Sequence, residues 1–344
     1  MKMRMMTGVK PTSNFLHLGN YFSSINPIII NQDESDDVYI FIADLHALTT
    51  LNNKIEISNN IHELIIQYLS LGVDPESCHI YRQSKFPEIC ELSWILSCVV
   101  PMGTLLRSHA YKAAEFEADN KRKELQNRGK FNEAANVGVT INVGTFCYPV
   151  LMAADILSIS ADSVPVGEDQ LQHIQIAREL ATRFNSKYGN VLKIPDPKII
   201  LGAEKIPGTD GQKMSKSYNN YLGIFETEKS LMTKIKQIKT DGTPKGQSLK
   251  PSNCTIFSLH RLFSNSSEIN DLEKLYFNGE IGYMESKQLL FEKFLFFFKE
   301  QRERYLELSK YSDSDLDDLI FKSELGVGAE ISVLMKKVKD SVGI

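Results

Sequence analysis

The stretch VYIFIADL, Val38 to Leu45, decides the fold. Its apolar residues run on from Val38 to Ala43 without alternating, so the expected strand is covered on both faces. That is the mark of a parallel sheet clothed by helices. Upstream, MRMMTGV (Met3 to Val9) reads as a first strand, and LGNYFSSINPIII can begin a helix. Downstream, Ile61, Leu64, Ile65, Tyr68, Leu69 and Leu71 recur at helical spacing up to Gly72, with a turn at Asp74-Pro75. CHIYRQS is again strand-like, and EICELSWILSCVV helical. Strand, helix, strand, helix implies parallel strands joined by right-handed crossovers.

Further along, 102–137 is charged and helix-permissive, with few apolar anchors. The cluster Lys121, Arg122, Lys123 within it reads first as a solvated helix face and second as a phosphate contact. The alternation then resumes with YPVLMAADIL as a helix, SVPV as a short strand and EDQLQHIQIARELATRFN as a long amphipathic helix. Beyond Ser217 the segments all read as helices, LLFEKFLFFF (Leu289 to Phe298) as a buried one. The expectation is an α/β catalytic domain over 1–217, with a helical insertion near 102–137, followed by an α-helical domain over 218–344.

With 344 residues, 42% hydrophobic and 24% charged, the composition excludes general disorder. A net charge of -4 excludes a wholly basic nucleic-acid coat but not a local basic patch. Five scattered cysteines without a C-x-x-C pair support neither a disulfide framework nor a zinc knuckle, so reduced thiols in a cytoplasm are expected. No apolar run approaches the roughly 20 residues of a membrane span.

Four motifs carry chemistry. In parallel sheets ligands gather outside the carboxyl ends of the strands, where helix N-termini offer N–H groups to anions. PTSNFLHLGNY lies where the first strand meets the first helix. There Gly8 permits close backbone approach, and His17, two residues before Gly19 and Asn20, is placed to donate to a phosphate oxygen. GEDQ (Gly167 to Gln170) follows SVPV. Its Asp169 either accepts from ribose hydroxyls or, with Glu168, merely complements the helix N-terminus. Tyr148, Met152 and Asp155 share one helix face. A carboxylate among Leu151, Met152 and Ile156 is costly unless satisfied, by a backbone amide, a basic side chain, or an apolar ligand carrying an N–H donor. Lastly KMSKS (Lys213, Met214, Ser215, Lys216, Ser217) sets two ammonium groups and two hydroxyls in a Gly-flanked loop suited to a departing pyrophosphate.

Taken in order, these motifs resemble the class I aminoacyl-tRNA synthetases, and within them the bacterial-type tryptophanyl enzymes. PTSNFLHLGNY resembles the HIGH motif, and YPVLMAADIL, VPVGEDQLQHIQIARELATRFN and KMSKS resemble the tryptophanyl pattern. The resemblance implies a Rossmann-type fold that binds ATP, with Mg²⁺ carried by the nucleotide and no resident metal. Lys10, Pro11, Thr12, His17, Gly19 and Asn20 would line the phosphates and adenine. Gly167, Glu168 and Asp169 would hold the adenosine, Ile206 would lie against adenine, and Lys213 to Ser217 would close over the triphosphate. Lys213, Lys216, His17 and Lys10 would be the catalytic donors. Asp155 would accept the indole N–H of L-tryptophan, Tyr148 and Gln170 would meet its α-ammonium or carboxylate, and Met152, Val164, Val166, Met6 and His46 would line the ring pocket. It further implies tRNA(Trp) as acceptor, an anticodon-reading helical region and a homodimer in the cytoplasm.

Two alternatives differ in sequence. A tyrosyl enzyme would carry another pocket and another sequence around its ribose-binding Asp, against which LMAADIL and VPVGEDQ argue. A non-catalytic RNA-binding relative has no reason to retain His17, Asp169, Lys213 and Lys216 together.

Overall fold

The computed structural model describes residues 3–12, 16–32, 37–136, 141–166, 171–199 and 206–344, with only the backbone at 31, 134–136, 165–166, 197–199 and 217. Five strands, β1 (Arg4–Val9), β2 (Asp37–Ile42), β3 (His79–Arg82), β4 (Ser163–Val166) and β5 (Asp196–Ile199), form one parallel sheet in the order β3-β2-β1-β4-β5. The chain is an α/β protein of Rossmann type, and its strand order reverses between β1 and β4.

β2 shows why the opening run is apolar throughout. Val38, Ile40 and Ile42 enter one core with Ile65, Leu69 and Ile80. Tyr39, Phe41 and Ala43 enter the opposite core with Tyr81, Val150 and Ala154. Successive side chains point to opposite faces, and here both faces are dry. The strand ends at Ile42, before the Asp44-Leu45 of the quoted stretch. Asp44 is buried, accepts from the backbone N–H of Leu45 and Ser84 (both 2.9 Å), and starts a short helix, Asp44–Ala47.

The helix Lys54–Leu71 joins β2 to β3. Asn53 caps its first N–H groups and Gly72, at φ 105°, closes its C-terminus. Pro87–Ser97 and Val143–Ser158 pack together between β3 and β4. The charged excursion between them is helical, as Met102–Leu106, His109–Asn127 and Phe131–Asn136. Leu171–Tyr188 leads into β5, a strand that its DPKI sequence disguised. Pro197 lacks a donor, which an edge strand tolerates.

Beyond the sheet the chain is helical: Glu228–Lys236, Thr255–His260, Ser266–Phe277, Tyr283–Phe297, Lys299–Leu308 and Asp313–Val342. LLFEKFLFFF is buried on one face alone. Leu290, Phe294 and Phe298 are inside, whereas Phe296 is 84% exposed. The last helix returns to the sheet. Its Val327, Ile331, Leu334, Met335 and Val338 complete the core behind β2 and β3, and its Ser323 hydroxyl donates to the Ile80 carbonyl (2.8 Å). Arg82, at the end of β3, clasps Glu324 through Nε (2.9 Å) and Nη2 (2.9 Å) and reaches Asp317 through Nη1.

Candidate active site

At the carboxyl end of β1, Lys10 is half-buried, which lowers its ammonium pKa. It donates to Thr49 Oγ1 (2.9 Å) and lies 5.8 Å from the centroid of the Tyr148 ring. The turn beyond it is pinned from the Lys54–Leu71 helix: Asn60 Nδ2 donates to the Pro11 carbonyl (3.2 Å), and Gln67 Oε1 accepts from Leu16 N–H (2.6 Å). Thr12 is exposed between these anchors. Gly8 behaves differently from its sequence reading, because the Phe41 ring fills the space that a Cβ there would need (2.0 Å).

His17 is 7% exposed and opens the helical run at Leu18. Its Nδ1 accepts from Asn20 N–H (3.3 Å), while Asn20 Oδ1 accepts from His17 N–H (3.2 Å). Burial first, then the nearby Lys216 and Lys234 charges, push the imidazole down to about 3. It is therefore neutral at working pH, and with Nδ1 accepting, Nε2 carries the proton and is the ring's donor. A Cβ on Gly19 would stand 2.8 Å from the His17 ring, so glycine is required there for that ring position.

The KMSKS segment sits against this turn. Met214 is 4% exposed in the core; its N–H donates to the Ile206 carbonyl (2.9 Å), and its Cβ is 3.8 Å from the position of a Gly19 Cβ. The buried methionine thus anchors a loop whose two lysines flank it. Lys213 is exposed, and Lys216, buried enough for its ammonium to fall to about 8, is close enough to act on His17. Asn220, absent from every motif, holds the loop: Oδ1 accepts from Ser215 N–H (2.7 Å) and Nδ2 donates to Asp210 Oδ1 (2.7 Å) and the Lys213 carbonyl (3.1 Å). Leu16 to Leu18 then pair with Leu222 to Ile224, fastening the two motifs to one another. Ser217 lies in the turn Lys216–Tyr218, where only its backbone is described.

Across the switch point, Asp155 is wholly buried on the Val143–Ser158 helix. His46 Nε2 lies 3.0 Å from its Oδ2, and Gln83 Nε2 donates to Oδ1 (2.8 Å) and Oδ2 (3.0 Å). Burial raises this carboxyl, and the His46 and Gln83 hydrogen bonds oppose that rise. The basic-side-chain option is therefore filled by His46, joined by a side-chain amide that the motifs did not reveal. The carboxyl oxygens have lone-pair sites beyond these three contacts. His46 packs on the Tyr148 ring at 4.2 Å between centroids, and its Nδ1 is buried without a partner. A pocket of about 310 Å³ has His46, Thr49, Tyr148 and Leu151 in its wall, and Asp155 lies behind that wall, joined to it through His46. Met6 on β1 and Val164 on β4 are buried in the core beneath this helix, and Met152 packs against that core one turn before Asp155. Val166 ends β4 with only its backbone described, and Gly167, Glu168, Asp169 and Gln170 lie outside the described residues. Among the described residues no group of three or more His, Cys, Asp or Glu side chains could hold a metal ion, and no helix is long and apolar enough to cross a membrane.

Gln83 did carry a signal, since a polar residue at the carboxyl end of a parallel strand is where ligands collect. Asn60 carried none, because its partner is a backbone carbonyl of another segment, and Asn220 carried none, because its partners are backbone atoms and one carboxylate of the loop it closes.

A family model described as tRNA synthetases class I (W and Y) matches residues 1–299. A tryptophan–tRNA ligase of Fusobacterium nucleatum is 39% identical over 342 residues, 99% of this chain and 98% of that protein. The crystal structure of the Campylobacter jejuni tryptophanyl-tRNA synthetase complexed with ADP and tryptophan superposes with a TM-score of 0.87 at 36% identity, covering 99% of this chain and 100% of that one. A tyrosyl-tRNA synthetase of Archaeoglobus fulgidus, at 18% identity and a TM-score of 0.60, shares the fold.

Proposed function

The chain belongs to the class I tRNA synthetases for tryptophan and tyrosine, among the tryptophan–tRNA ligases, and from that premise we propose that it joins L-tryptophan to tRNA(Trp) in two steps. The tryptophan carboxylate attacks the α-phosphorus of ATP, the bond to the bridging oxygen breaks, and pyrophosphate leaves. A terminal ribose hydroxyl of the tRNA then attacks the acyl carbon of the adenylate and loses its proton, the acyl–phosphate anhydride bond breaks, and AMP leaves. No protein nucleophile takes part; positioning and charge stabilisation carry the reaction.

The observation that carries this reading is Asp155, a buried carboxylate braced by His46 and Gln83. Indole N–H only donates, so tryptophan satisfies the remaining acceptor, whereas a ligand without that donor leaves it unpaired. In this reading Tyr148 and Gln170 meet the amino-acid backbone, and Met6, His46, Met152, Val164 and Val166 shape the ring site. His17 donates through Nε2 to the triphosphate. Lys10, Lys213 and Lys216 offset its charge, with Mg²⁺ arriving on the nucleotide. Pro11, Thr12, Gly19 and Asn20 form the phosphate turn, Gly167, Glu168 and Asp169 hold the ribose and adenosine, Ile206 lies against the adenine, and Met214, Ser215 and Ser217 shape the loop that brings Lys213 and Lys216 to the triphosphate.

Residues 1–217 then form the catalytic unit. The helical region 218–344 reads the anticodon, and its final helix also braces the sheet. The enzyme works as a cytoplasmic homodimer, for which exposed Trp94, Met102 and Phe116 offer apolar surface.

The test is ATP–pyrophosphate exchange with tryptophan and tyrosine in parallel. Exchange with tryptophan alone is expected; exchange with tyrosine, or with neither, refutes the proposal.

A further inference from the structure

Gln83 directly follows β3 and is wholly buried. Its Oε1 accepts from the backbone N–H groups of Leu45 (3.1 Å) and His46 (3.3 Å). With the oxygen turned to two donors the amide cannot be reversed, and Nε2 must face Asp155. One side chain thereby registers the short Asp44–Ala47 helix, which bears His46, against the Val143–Ser158 helix, which bears Asp155.

We propose that Gln83 is a positioning residue for tryptophan binding: its amide, fixed by two backbone donors, spans both oxygens of Asp155 and holds that carboxyl as the acceptor for indole N–H. This rests on the tryptophan reading of the site given above. An acceptor-only group pairs with indole N–H, and a donor-free phenylalanine ring leaves it unpaired. A protonated carboxyl commits one oxygen as a donor, so tryptophan binding weakens once Asp155 is neutral.

The surroundings make Gln83 decisive. The groups acting on Asp155 are His46 and Asp44 from the short helix, Tyr81 from β3, Cys90 from Pro87–Ser97, and Tyr148 from its own helix. Asp44 opposes ionisation, as burial does. His46 bonds one oxygen, and Gln83 spans both without adding a charge.

Two variants test this in opposite directions, each measured by tryptophan-dependent exchange from about pH 6 to about pH 9. Gln83→Met removes the donor. The KM for tryptophan should rise about 10- to 100-fold at neutral pH, the range for a lost hydrogen bond to a charged group. kcat at saturating tryptophan should fall far less, and the defect should shrink as pH rises and Asp155 ionises. Gln83→Glu should bind tryptophan nearly as well as wild type at low pH, where a shared proton replaces the amide donor. It should worsen as pH rises, because two adjacent carboxylates cannot both ionise cheaply.

A loss that is uniform across pH in both variants and tracks their melting temperatures means Gln83 is merely structural, and overturns the inference. So does a tryptophan KM within about twofold of wild type in both. If wild type itself shows no exchange with tryptophan, the reading of the site fails. If wild type exchanges and Asp155→Ala does not, while both Gln83 variants keep the wild-type pH slope, the Gln83 inference alone fails.

Discussion

Asn220→Ala should uncouple the KMSKS loop from the rest of the site. The side chain is 2% exposed and makes three contacts across the loop, to Ser215 N–H (2.7 Å), Asp210 Oδ1 (2.7 Å) and the Lys213 carbonyl (3.1 Å). Gly208 leaves room for it, since a Cβ at Gly208 would meet the Asn220 amide at 2.4 Å. At about 0.5–1.5 kcal/mol net per bond, truncation removes at most about 1.5–4.5 kcal/mol of loop order. Gly211, Gln212 and Lys213 are exposed, so water can replace part of what is lost. A cost of about 2 kcal/mol is expected, which lowers the ratio of ordered to disordered loop about 30-fold. The assay is the same exchange reaction, read as kcat and as the KM for each substrate. kcat should fall by severalfold and by up to about 30-fold, while the tryptophan KM moves less than about twofold, because Asp155 is braced by other elements. Limited proteolysis should nick the variant between Thr209 and Tyr218 faster than wild type. A kcat within about twofold of wild type, with unchanged proteolysis, would refute the claim that Asn220 orders the loop.

Three further outcomes follow from the same contacts. Lys216, lowered to about 8 by burial, is largely charged near pH 7 and loses that charge as pH climbs past 8. The KM for ATP should therefore rise several-fold toward about pH 9, and Lys216→Arg should flatten that profile. Gly19→Ala drives a methyl to 2.8 Å from the His17 ring, so the imidazole must turn and give up Asn20 N–H. At about 1–3 kcal/mol this should reduce kcat/KM for ATP about 10- to 100-fold, with the circular dichroism spectrum unchanged. Arg82→Ala leaves Glu324, nearly buried, without its fork; a loss of about 3 kcal/mol is expected. The melting temperature should drop by several degrees, and Glu324→Gln, which removes the charge as well, should cost less.

The sheet was legible in the sequence because its strands obey rules confined to themselves. Val38 to Ala43 is apolar at every position since both faces of β2 are covered, and the Lys54–Leu71 helix carries both its period and its cap, Asn53, in the chain. β5 escaped notice for the opposite reason. Asp-Pro-Lys-Ile has neither a run nor an alternation, and its place comes from pairing with β4 at the sheet edge. The helix that carries LLFEKFLFFF ends at Phe297 and a new one starts at Lys299, because Phe298 is buried among Tyr21, Phe263 and Phe294, which is a tertiary demand. The last helix read as an ordinary amphipathic segment. That its apolar face covers β3 depends on Arg82 and Glu324, which stand 242 residues apart.

The site divides along the same line. Residues that meet a ligand fall in short strings whose chemistry shows locally, as with His17 before Gly19 or two lysines around Met214. Residues that hold those strings in place, Asn60, Gln67 and Asn220, bond to backbone or carboxylate atoms and carry no pattern, and Gln83 shows only by its place at the end of β3. Asp155 shows what joins the two classes. A buried charge must be satisfied before any ligand arrives, or folding would neutralise it or expel it. From the sequence a protein partner and a ligand are alternatives for this carboxylate, yet a carboxylate has room for both. His46 and Gln83 hold it in the folded chain, and the acceptor capacity they leave is what a donor-only ring can use. An unexplained buried carboxylate in such a fold therefore points to a brace as well as a substrate, and the brace belongs at the carboxyl end of a neighbouring strand, where Gln83 stands.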